Sequence, residues 1–175
     1  MMSYIRIGLF LLVSVSLNGC TAVGKVAKVI ANPDIQVGEN DKQPTVVDFV
    51  LVGEDFINSN FYGDPTPIVI DLYYLRDKSR FLAIDYDSIS MGDIKDAMGK
   101  AYLDHEEYLI EPSTNEYISE IEVPDRTRFL GVIAHYSDID NVLWKKILPI
   151  KAEGDDTKIL ILAKEREIRF ERMKD

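Results

Sequence analysis

The stretch Ile68–Leu75 has the sequence IVIDLYYL and is apolar or aromatic at every position except Asp71. A short run that is apolar on both faces is typical of a strand with packing partners on either side. Pro65 and Pro67 lie just before it, and neither can donate a hydrogen bond within a sheet. The sequence therefore predicts a central strand that begins after Pro67.

The rest of the chain from Thr45 onward consists mostly of short β-rich segments separated by turn residues, a spacing typical of a sandwich. Seven further strands are predicted at Thr45–Val52, Arg80–Asp85, Tyr117–Val123, Arg128–Tyr136, Leu143–Ile150, Thr157–Lys164 and Glu167–Arg172. One segment breaks this pattern, because apolar residues recur at helical spacing from Ser90, a candidate N-cap, to about Leu103. We therefore predict a mainly β fold, a two-sheet sandwich of about eight strands with one added helical segment.

Two of these segments carry more detailed predictions. Alternation along Arg128–Tyr136 places Leu130, Val132, Ala134 and Tyr136 on one face, and Phe129, Gly131, Ile133 and His135 on the other. The last two strands are predicted either to form a hairpin through Lys164–Arg166 or to be one long bent strand.

The N-terminal part of the chain has the features of a bacterial secretion signal. Arg6 precedes an apolar run at Ile7–Leu17, which is too short to span a bilayer as a helix. The run ends in the sequence LNGC, in which Cys20 is the only cysteine of the chain, and this arrangement is similar to a lipobox. We predict a signal peptide at residues 1–19, an acylated Cys20 with a flexible tether over residues 20–43, and a β-sandwich domain at residues 44–175. The alternatives are an ordinary cleaved signal peptide or a short anchor helix, with Cys20 incidental.

The composition restricts the classes of partner. The formal net charge is −10, and removal of residues 1–19 would take away Arg6 and no acid, giving −11. Such a chain repels phosphate backbones, so nucleic-acid binding is not expected. Anionic membrane surfaces would repel it as well, so lipid contact is expected through acyl chains rather than a basic patch. With Cys20 acylated, no intrachain disulfide is possible.

Motifs for catalysis or metal binding are weak. The two histidines, His105 and His135, belong to no metal-binding motif and are predicted to be a surface residue and half-buried scaffold. The acidic stretches Asp85–Asp87 and Asp138–Asn141 begin like calcium loops, but each lacks the sixth-position glycine and the twelfth-position glutamate. We therefore predict no enzyme activity, no metal site and no cofactor, apart from a covalent diacylglycerol and an N-acyl chain on Cys20.

One loop stands out as a candidate site. It joins the first two strands and places two adjacent aromatic residues among small, polar, turn-forming residues: Asn58, Ser59, Asn60, Phe61, Tyr62, Gly63 and Asp64. Phe61 and Tyr62 either fold back on the sandwich edge or point outward. If they point outward, they suit protein binding, because aromatic side chains bury a large area at low entropic cost.

Three features together resemble the TssJ (SciN/VasD) lipoproteins of type VI secretion systems. They are the lipobox, the sequence GDPTP at Gly63–Pro67, and the sequence GVIAHYSDIDNVLW at Gly131–Trp144. This chain departs from the family pattern at Asp64 and Ser137, where arginine is usual, and at Tyr74, where glutamine is usual. The Asp64 departure bears on charge complementarity, because this residue lies in the candidate loop.

The resemblance implies a transthyretin-like sandwich, anchored by lipid in the outer membrane and facing the periplasm. The implied partner is the periplasmic C-terminal domain of the inner-membrane protein TssM, within a TssJ–TssL–TssM complex. Tyr73, Tyr136 and Trp144 are expected to pack in the core, and the Asp138–Asn141 turn to hold two strands in register through side-chain-to-backbone bonds. The alternative function is a periplasmic small-molecule or glycan-binding lipoprotein, which would need a deep pocket lined with aromatic residues.

Overall fold

A computed structural model of the chain describes residues 43–91, 94–151 and 153–174. The predicted signal peptide, the lipobox with Cys20 and nearly all of the predicted tether lie outside the described residues. The described part contains eight strands: β1 (Val46–Gly53), β2 (Ile68–Leu75), β3 (Tyr102–Ile110), β4 (Asn115–Glu122), β5 (Phe129–Ala134), β6 (Lys145–Pro149), β7 (Asp156–Ala163) and β8 (Ile168–Arg172).

The strands form two four-stranded sheets, with the orders β4-β1-β7-β8 and β3-β2-β5-β6. All pairings are antiparallel except that of β1 with β7, which is parallel. The strand β2 lies between β3 and β5, so the predicted central strand is confirmed. The strands β7 and β8 pair antiparallel through the turn after Ala163, which confirms the hairpin rather than one bent strand.

The main core lies between the two sheets. Alternate residues of β1, β2 and β5 point into it and are almost completely buried: Val47, Phe49, Leu51, Ile68, Ile70, Leu72, Tyr74, Leu130, Val132 and Ala134. This alternation follows from the strand period of two, which directs every second side chain to the same face. The two predicted faces of Arg128–Tyr136 are confirmed, because Leu130 and Val132 join the main core while Ile133 packs on the outer side.

A second, smaller core covers the outer face of the sheet that contains β2. Three short helices, α1 (Ser79–Ala83), α2 (Tyr86–Met91) and α3 (Ile94–Met98), and a 3₁₀ turn at Gly99–Ala101 connect β2 to β3. Three buried side chains of this connection, Phe81, Ile84 and Met98, pack against Tyr73, Leu75 and Ile133 of the sheet. This layer explains why β2 is apolar on both faces.

A glycine makes room for this helical layer. A Cβ atom on Gly131 would lie 2.7 Å from the ring of Phe81, well inside van der Waals contact. Phe81 is 1% exposed and sits on β5 only because position 131 has no side chain.

The segment between β2 and β4 differs from the prediction. The prediction of a strand at Arg80–Asp85 is wrong, because residues Ser79–Ala83 form the helix α1. Phe81 and Ile84, three residues apart, are both buried, which is the spacing of one helix face. The helical segment predicted from Ser90 to Leu103 begins earlier, at Ser79, and consists of short pieces. The strand β3 was not predicted. Because it takes the place of the wrongly predicted strand, the described residues still contain eight strands, as expected.

The two ends of the sandwich carry different connections. The loop end contains the connections at residues 54–67, 111–114, 137–143 and 164–167, because β1 and β7 end there and β2 begins there. The entry end is the opposite one, where residues 43–45 lead into β1 and where β2 ends. Residues 76–78, 123–128 and 150–155 also lie at the entry end.

Candidate functional site

The loop at residues 54–67 crosses from one sheet to the other and is held by a buried base. Ile57 is fully buried, and Asn58 is 8% exposed with a positive φ of 45°. Asn58 Nδ2 donates to the carbonyl of Pro67 at 2.8 Å, and Asn58 Oδ1 accepts the backbone N–H of Ser137 at 2.7 Å. The Thr66 hydroxyl donates to the carbonyl of Asn58 at 2.5 Å. These contacts tie both arms of the loop to each other and to the β5–β6 connection.

The outer part of the loop is organised by Asn60. Its Oδ1 accepts the backbone N–H groups of Tyr62 at 2.8 Å and of Asp64 at 3.0 Å. Its own N–H donates to the carbonyl of Asp64 at 2.8 Å, and the Gly63 N–H donates to the carbonyl of Asn60 at 2.9 Å. Gly63 has a positive φ of 85°, which a residue with a side chain rarely adopts. The tip is therefore a tight, internally hydrogen-bonded turn rather than a slack loop.

This turn presents two aromatic rings to solvent. Phe61 is 98% exposed and Tyr62 84%, and their rings make an edge-to-face contact with centroids 5.6 Å apart. Folding back on the sandwich was the alternative predicted for these side chains, and the structure instead points them outward. Aromatic side chains on a fixed frame lose little conformational entropy on binding, so this arrangement suits recognition by a protein surface.

The structure divides the seven predicted loop residues by role. Phe61, Tyr62 and Asp64 are exposed and available for contact, whereas Asn58, Asn60 and Gly63 shape the loop and Ser59 is half-buried. Sequence reasoning missed Phe56 and Leu143, which are 63% and 57% exposed at the same end. A sequence signal for Phe56 existed, since a large apolar residue follows Glu54 and Asp55 outside any strand pattern.

The loop end is strongly acidic. Its four connections contain eight acids, Glu54, Asp55, Asp64, Glu111, Asp138, Asp140, Glu165 and Glu167, and two bases, Lys164 and Arg166. Lys164 Nζ lies 3.6 Å from Glu54 and 3.8 Å from Glu167, and Arg166 pairs with Glu165. The two aromatic rings therefore project from a surface with a formal excess of six negative charges.

Three cavities in the described part do not resemble a ligand pocket. A cavity of about 90 Å³ lies beside Asn58, between Tyr136 and Arg166, and is smaller than a drug-sized site requires. An open groove of about 410 Å³ is lined by Leu143 and by charged residues, and a third of about 220 Å³ by Asp156–Lys158 and Met173. None of these three is the aromatic-lined pocket that the small-molecule or glycan-binding alternative needs.

A second cluster of polar side chains lies on the outer face of the β2 sheet. Asp71 Oδ2 accepts the Tyr73 hydroxyl at 2.8 Å and lies 3.0 Å from His135 Nε2. His135 Nδ1 lies 3.2 Å from the Tyr86 hydroxyl of α2. His105, predicted to be a surface residue, is half-buried in β3, and its ring stacks on the Tyr73 ring with the centroids 5.6 Å apart.

The order carboxylate, imidazole, hydroxyl invites comparison with a catalytic triad, but the electrostatics favour a structural role. Burial raises the pKa of the Asp71 carboxyl, and the hydrogen bonds from His135 and Tyr73 outweigh it, so the net pKa lies below its ordinary value. Burial raises the pKa of the Tyr86 hydroxyl, which is opposite to what activation of a nucleophile requires. The cluster therefore joins α2 to the sheet by hydrogen bonds.

The motif residues behave largely as scaffold. Tyr73 and Tyr136 are buried as predicted, and Trp144 is half-buried against both cores. The side-chain bonds at the Asp138–Asn141 turn run from Asn141 Nδ2 to the carboxylate oxygens of Asp138 at 3.2 and 3.3 Å, and not to backbone groups as predicted. Within the described ranges, no group of three or more metal-ligating side chains is placed to hold an ion.

Residues 45–172 match the protein-family profile T6SS-SciN, described as "Type VI secretion lipoprotein, VasD, EvfM, TssJ, VC_A0113". This match covers more than half of the chain. Among curated proteins, none matches the sequence significantly. In the part of the chain that the structure describes, no helix has the length and apolar character needed to cross a membrane.

Solved structures share the fold. The T6SS lipoprotein TssJ1 from Pseudomonas aeruginosa aligns with a TM-score of 0.69 and 23% identity, covering 75% of this chain and 98% of that one. Serratia marcescens Lip, a membrane-bound component of the type VI secretion system, aligns with a TM-score of 0.62 and 22% identity, covering 74% and 97%. A chain in the structure described as "T6SS protein TssM C-terminal domain (869-1107) from EAEC" aligns with a TM-score of 0.60 and 21% identity, covering 71% and 99%.

Proposed function

This chain belongs to the TssJ family of type VI secretion lipoproteins, and we propose that it links the outer membrane to the type VI secretion membrane complex. In this proposal acyl chains on Cys20 hold the protein in the outer membrane with its domain in the periplasm. The loop end binds the periplasmic C-terminal domain of the inner-membrane protein TssM, which assembles with TssL. The family is one of structural lipoproteins, so the proposed role is mechanical and needs no catalytic group.

The observation that carries the proposal is the solvent-exposed pair Phe61 and Tyr62 on a frame fixed by Asn58 and Asn60. Side chains of this type bury about 150–250 Å² each when they enter a partner pocket. The fold also places this pair at the end opposite to the entry of the chain at Gln43–Thr45. A protein that joins two membranes needs its anchor and its contact surface on opposite sides, and the position of the chain entry supports this part of the proposal.

β1 has eight residues and separates the two ends of the sandwich by about 26 Å. The loop that carries the aromatic pair therefore lies about this far from residues 43–45, where the chain enters the domain.

The proposal is tested by measuring the affinity of the chain from residue 21 onward for the purified C-terminal domain of its cognate TssM. Replacing two aromatic hot-spot residues that a partner buries by alanine removes about 2 kcal/mol or more of binding free energy, which corresponds to at least about a 30-fold loss of affinity. We expect the double variant Phe61→Ala/Tyr62→Ala to show this loss by titration calorimetry, with unchanged thermal stability.

The matched control is Leu109→Ala/Tyr117→Ala, which removes an aliphatic and an aromatic side chain that are 57% and 55% exposed on β3 and β4. We expect this control to bind like the unmodified chain. Equal affinity of the loop variant and the control would refute the loop as the contact surface and leave the family membership intact. Absence of binding by the unmodified chain would refute the proposed partner.

A further inference from the structure

Three basic residues lie side by side at the entry end of the β2 sheet. Arg76 directly follows β2, Arg128 directly precedes β5, and Lys151 comes two residues after β6. The register pairs Leu75 with Phe129 and Phe129 with Pro149, so these positions lie on three neighbouring strand ends. Neighbouring strands are about 4.8 Å apart, which brings the three backbone positions within about 10–15 Å of one another.

Backbone hydrogen bonds fix this row. The Arg128 N–H donates to the carbonyl of Leu75 at 2.8 Å, and the Ile150 N–H donates to the carbonyl of Arg128 at 2.9 Å. The Thr45 hydroxyl donates to the carbonyl of Lys151 at 2.9 Å. The row therefore ends beside Thr45, where the chain enters the domain.

The three side chains are exposed, and none of them forms an ion pair within the described residues. Lys78 lies close by, with its Nζ 5.7 Å from the centroid of the Phe129 ring. Basic side chains placed side by side raise the local positive potential of the surface, which favours an anionic partner. The arrangement is unexpected in a chain with 30 acids and 20 bases, because acids to neutralise it are plentiful.

The charge of the two ends differs accordingly. The entry-end connections contain five bases, Arg76, Lys78, Arg126, Arg128 and Lys151, and four acids, Asp77, Asp125, Glu153 and Asp155. The loop end contains two bases and eight acids. The loop-end connections thus carry a formal excess of six negative charges, whereas the entry-end connections carry a formal excess of one positive charge.

We propose that the row formed by Arg76, Arg128 and Lys151 rests on anionic phospholipid headgroups and orients the domain on the membrane. This inference rests on the proposed anchoring at Cys20, since the anchored residues precede residues 43–45, which lead into the entry end. Basic residues near an anionic surface are attracted to it, and the acidic loop end is repelled. The two effects act together to turn Phe61 and Tyr62 away from the lipid. This proposal differs from the expectation from net charge, that lipid contact comes through the acyl chains rather than a basic patch.

The chain supplies two natural probes for a test. Cys20 is the only cysteine, so the chain from Cys20 onward can be coupled to maleimide-lipid vesicles at the position of the proposed anchor. Trp144 is the only tryptophan, and it directly precedes β6 at the loop end. The five residues of β6 separate it from the row by about 17 Å along the strand. Energy transfer from Trp144 to a dansyl headgroup label therefore reports how far the loop end is held from the bilayer.

We expect less transfer on vesicles of phosphatidylcholine mixed with phosphatidylglycerol than on vesicles of phosphatidylcholine alone. About 1 M salt should abolish the difference, because it shortens the screening length to about 3 Å. The variant Arg76→Gln/Arg128→Gln/Lys151→Gln should likewise show no difference in energy transfer between the two kinds of vesicle. The control Lys146→Gln/Arg166→Gln/Arg169→Gln removes the same charge toward the loop end and should keep the difference.

Equal transfer on the two kinds of vesicle, or equal loss in both triple variants, would overturn the orienting role of the row. Because coupling through maleimide needs neither natural acylation nor TssM, this outcome is independent of the proposed function. Failure of the anchor itself would be seen separately, as absence of metabolic palmitate label on Cys20 in cells.

Discussion

The substitution Asn58→Ala tests whether the buried base of the loop sets the geometry of its tip. Alanine removes the bond to the Pro67 carbonyl at 2.8 Å and the bond from the Ser137 N–H at 2.7 Å, both of which are partly buried, and it leaves the two partner groups without them. Each such loss costs about 1–3 kcal/mol, toward the lower end for partly buried groups. Alanine also tolerates the positive φ of 45° less well than asparagine, at about 1 kcal/mol.

We therefore expect Asn58→Ala to lower the free energy of unfolding by about 3–4 kcal/mol, a large share of the 5–15 kcal/mol typical of a domain. Asn58→Gly loses the same two bonds but accepts the positive φ, so it should be about 0.5–1 kcal/mol less destabilised than alanine. Both variants should weaken partner binding although residue 58 is buried, because the tip loses its support.

The assay is urea denaturation followed by the fluorescence of Trp144, together with calorimetry against the partner domain. Phe61→Ala serves as the control, because a side chain that is 98% exposed contributes little to folding. A free energy of unfolding for Asn58→Ala within about 0.5 kcal/mol of the unmodified protein would refute the reasoning. Equal stability of the alanine and glycine variants would refute the part that rests on the backbone conformation.

Two further predictions concern the helical layer. Gly131→Ala places a Cβ atom 2.7 Å from the Phe81 ring and should cost about 1–3 kcal/mol in urea denaturation, and Gly131→Ala combined with Phe81→Leu should recover part of this loss. The pKa of Asp71 is lower in the folded protein than its ordinary value of 3.8. The stabilisation that the ionised Asp71 carboxyl group contributes should therefore be fully present above that pH and be lost as the pH falls through the folded pKa. Asp71→Asn should flatten the pH dependence in that window, and an unchanged acid profile would contradict the pairing with His135.

The fold could be predicted wherever local pattern and tertiary environment agree. The run IVIDLYYL at Ile68–Leu75 is apolar on both faces because the opposite sheet covers one face and the helices cover the other. In Phe129–Ala134 the alternation directs one set of side chains into the main core and the other set into the smaller core. The prediction failed at Tyr102–Ile110, where Asp104 and Glu106 interrupt the apolar pattern of an edge strand. It also failed at Arg80–Asp85, where a short apolar run fits a strand and a helix equally well.

The candidate site could be predicted in part. Composition and spacing identified the loop around Phe61 and Tyr62, but its rigidity depends on Ser137, which is 79 residues from Asn58 in sequence. The row of Arg76, Arg128 and Lys151 could not be predicted at all, because only strand register brings these distant positions together. Net charge predicts repulsion from anionic membranes, whereas the row is proposed to contact them.

The central claim is that the aromatic tip contacts TssM in the assembled complex, and photo-crosslinking in cells tests it most directly. A photoreactive phenylalanine analogue would replace Phe61 in one strain and Tyr117, the exposed aromatic of β4, in another. If the aromatic tip contacts TssM, position 61 should crosslink to the periplasmic domain of TssM and position 117 should not. A crosslink from position 117 alone, or crosslinks from position 61 only to lipid or glycan, would contradict it.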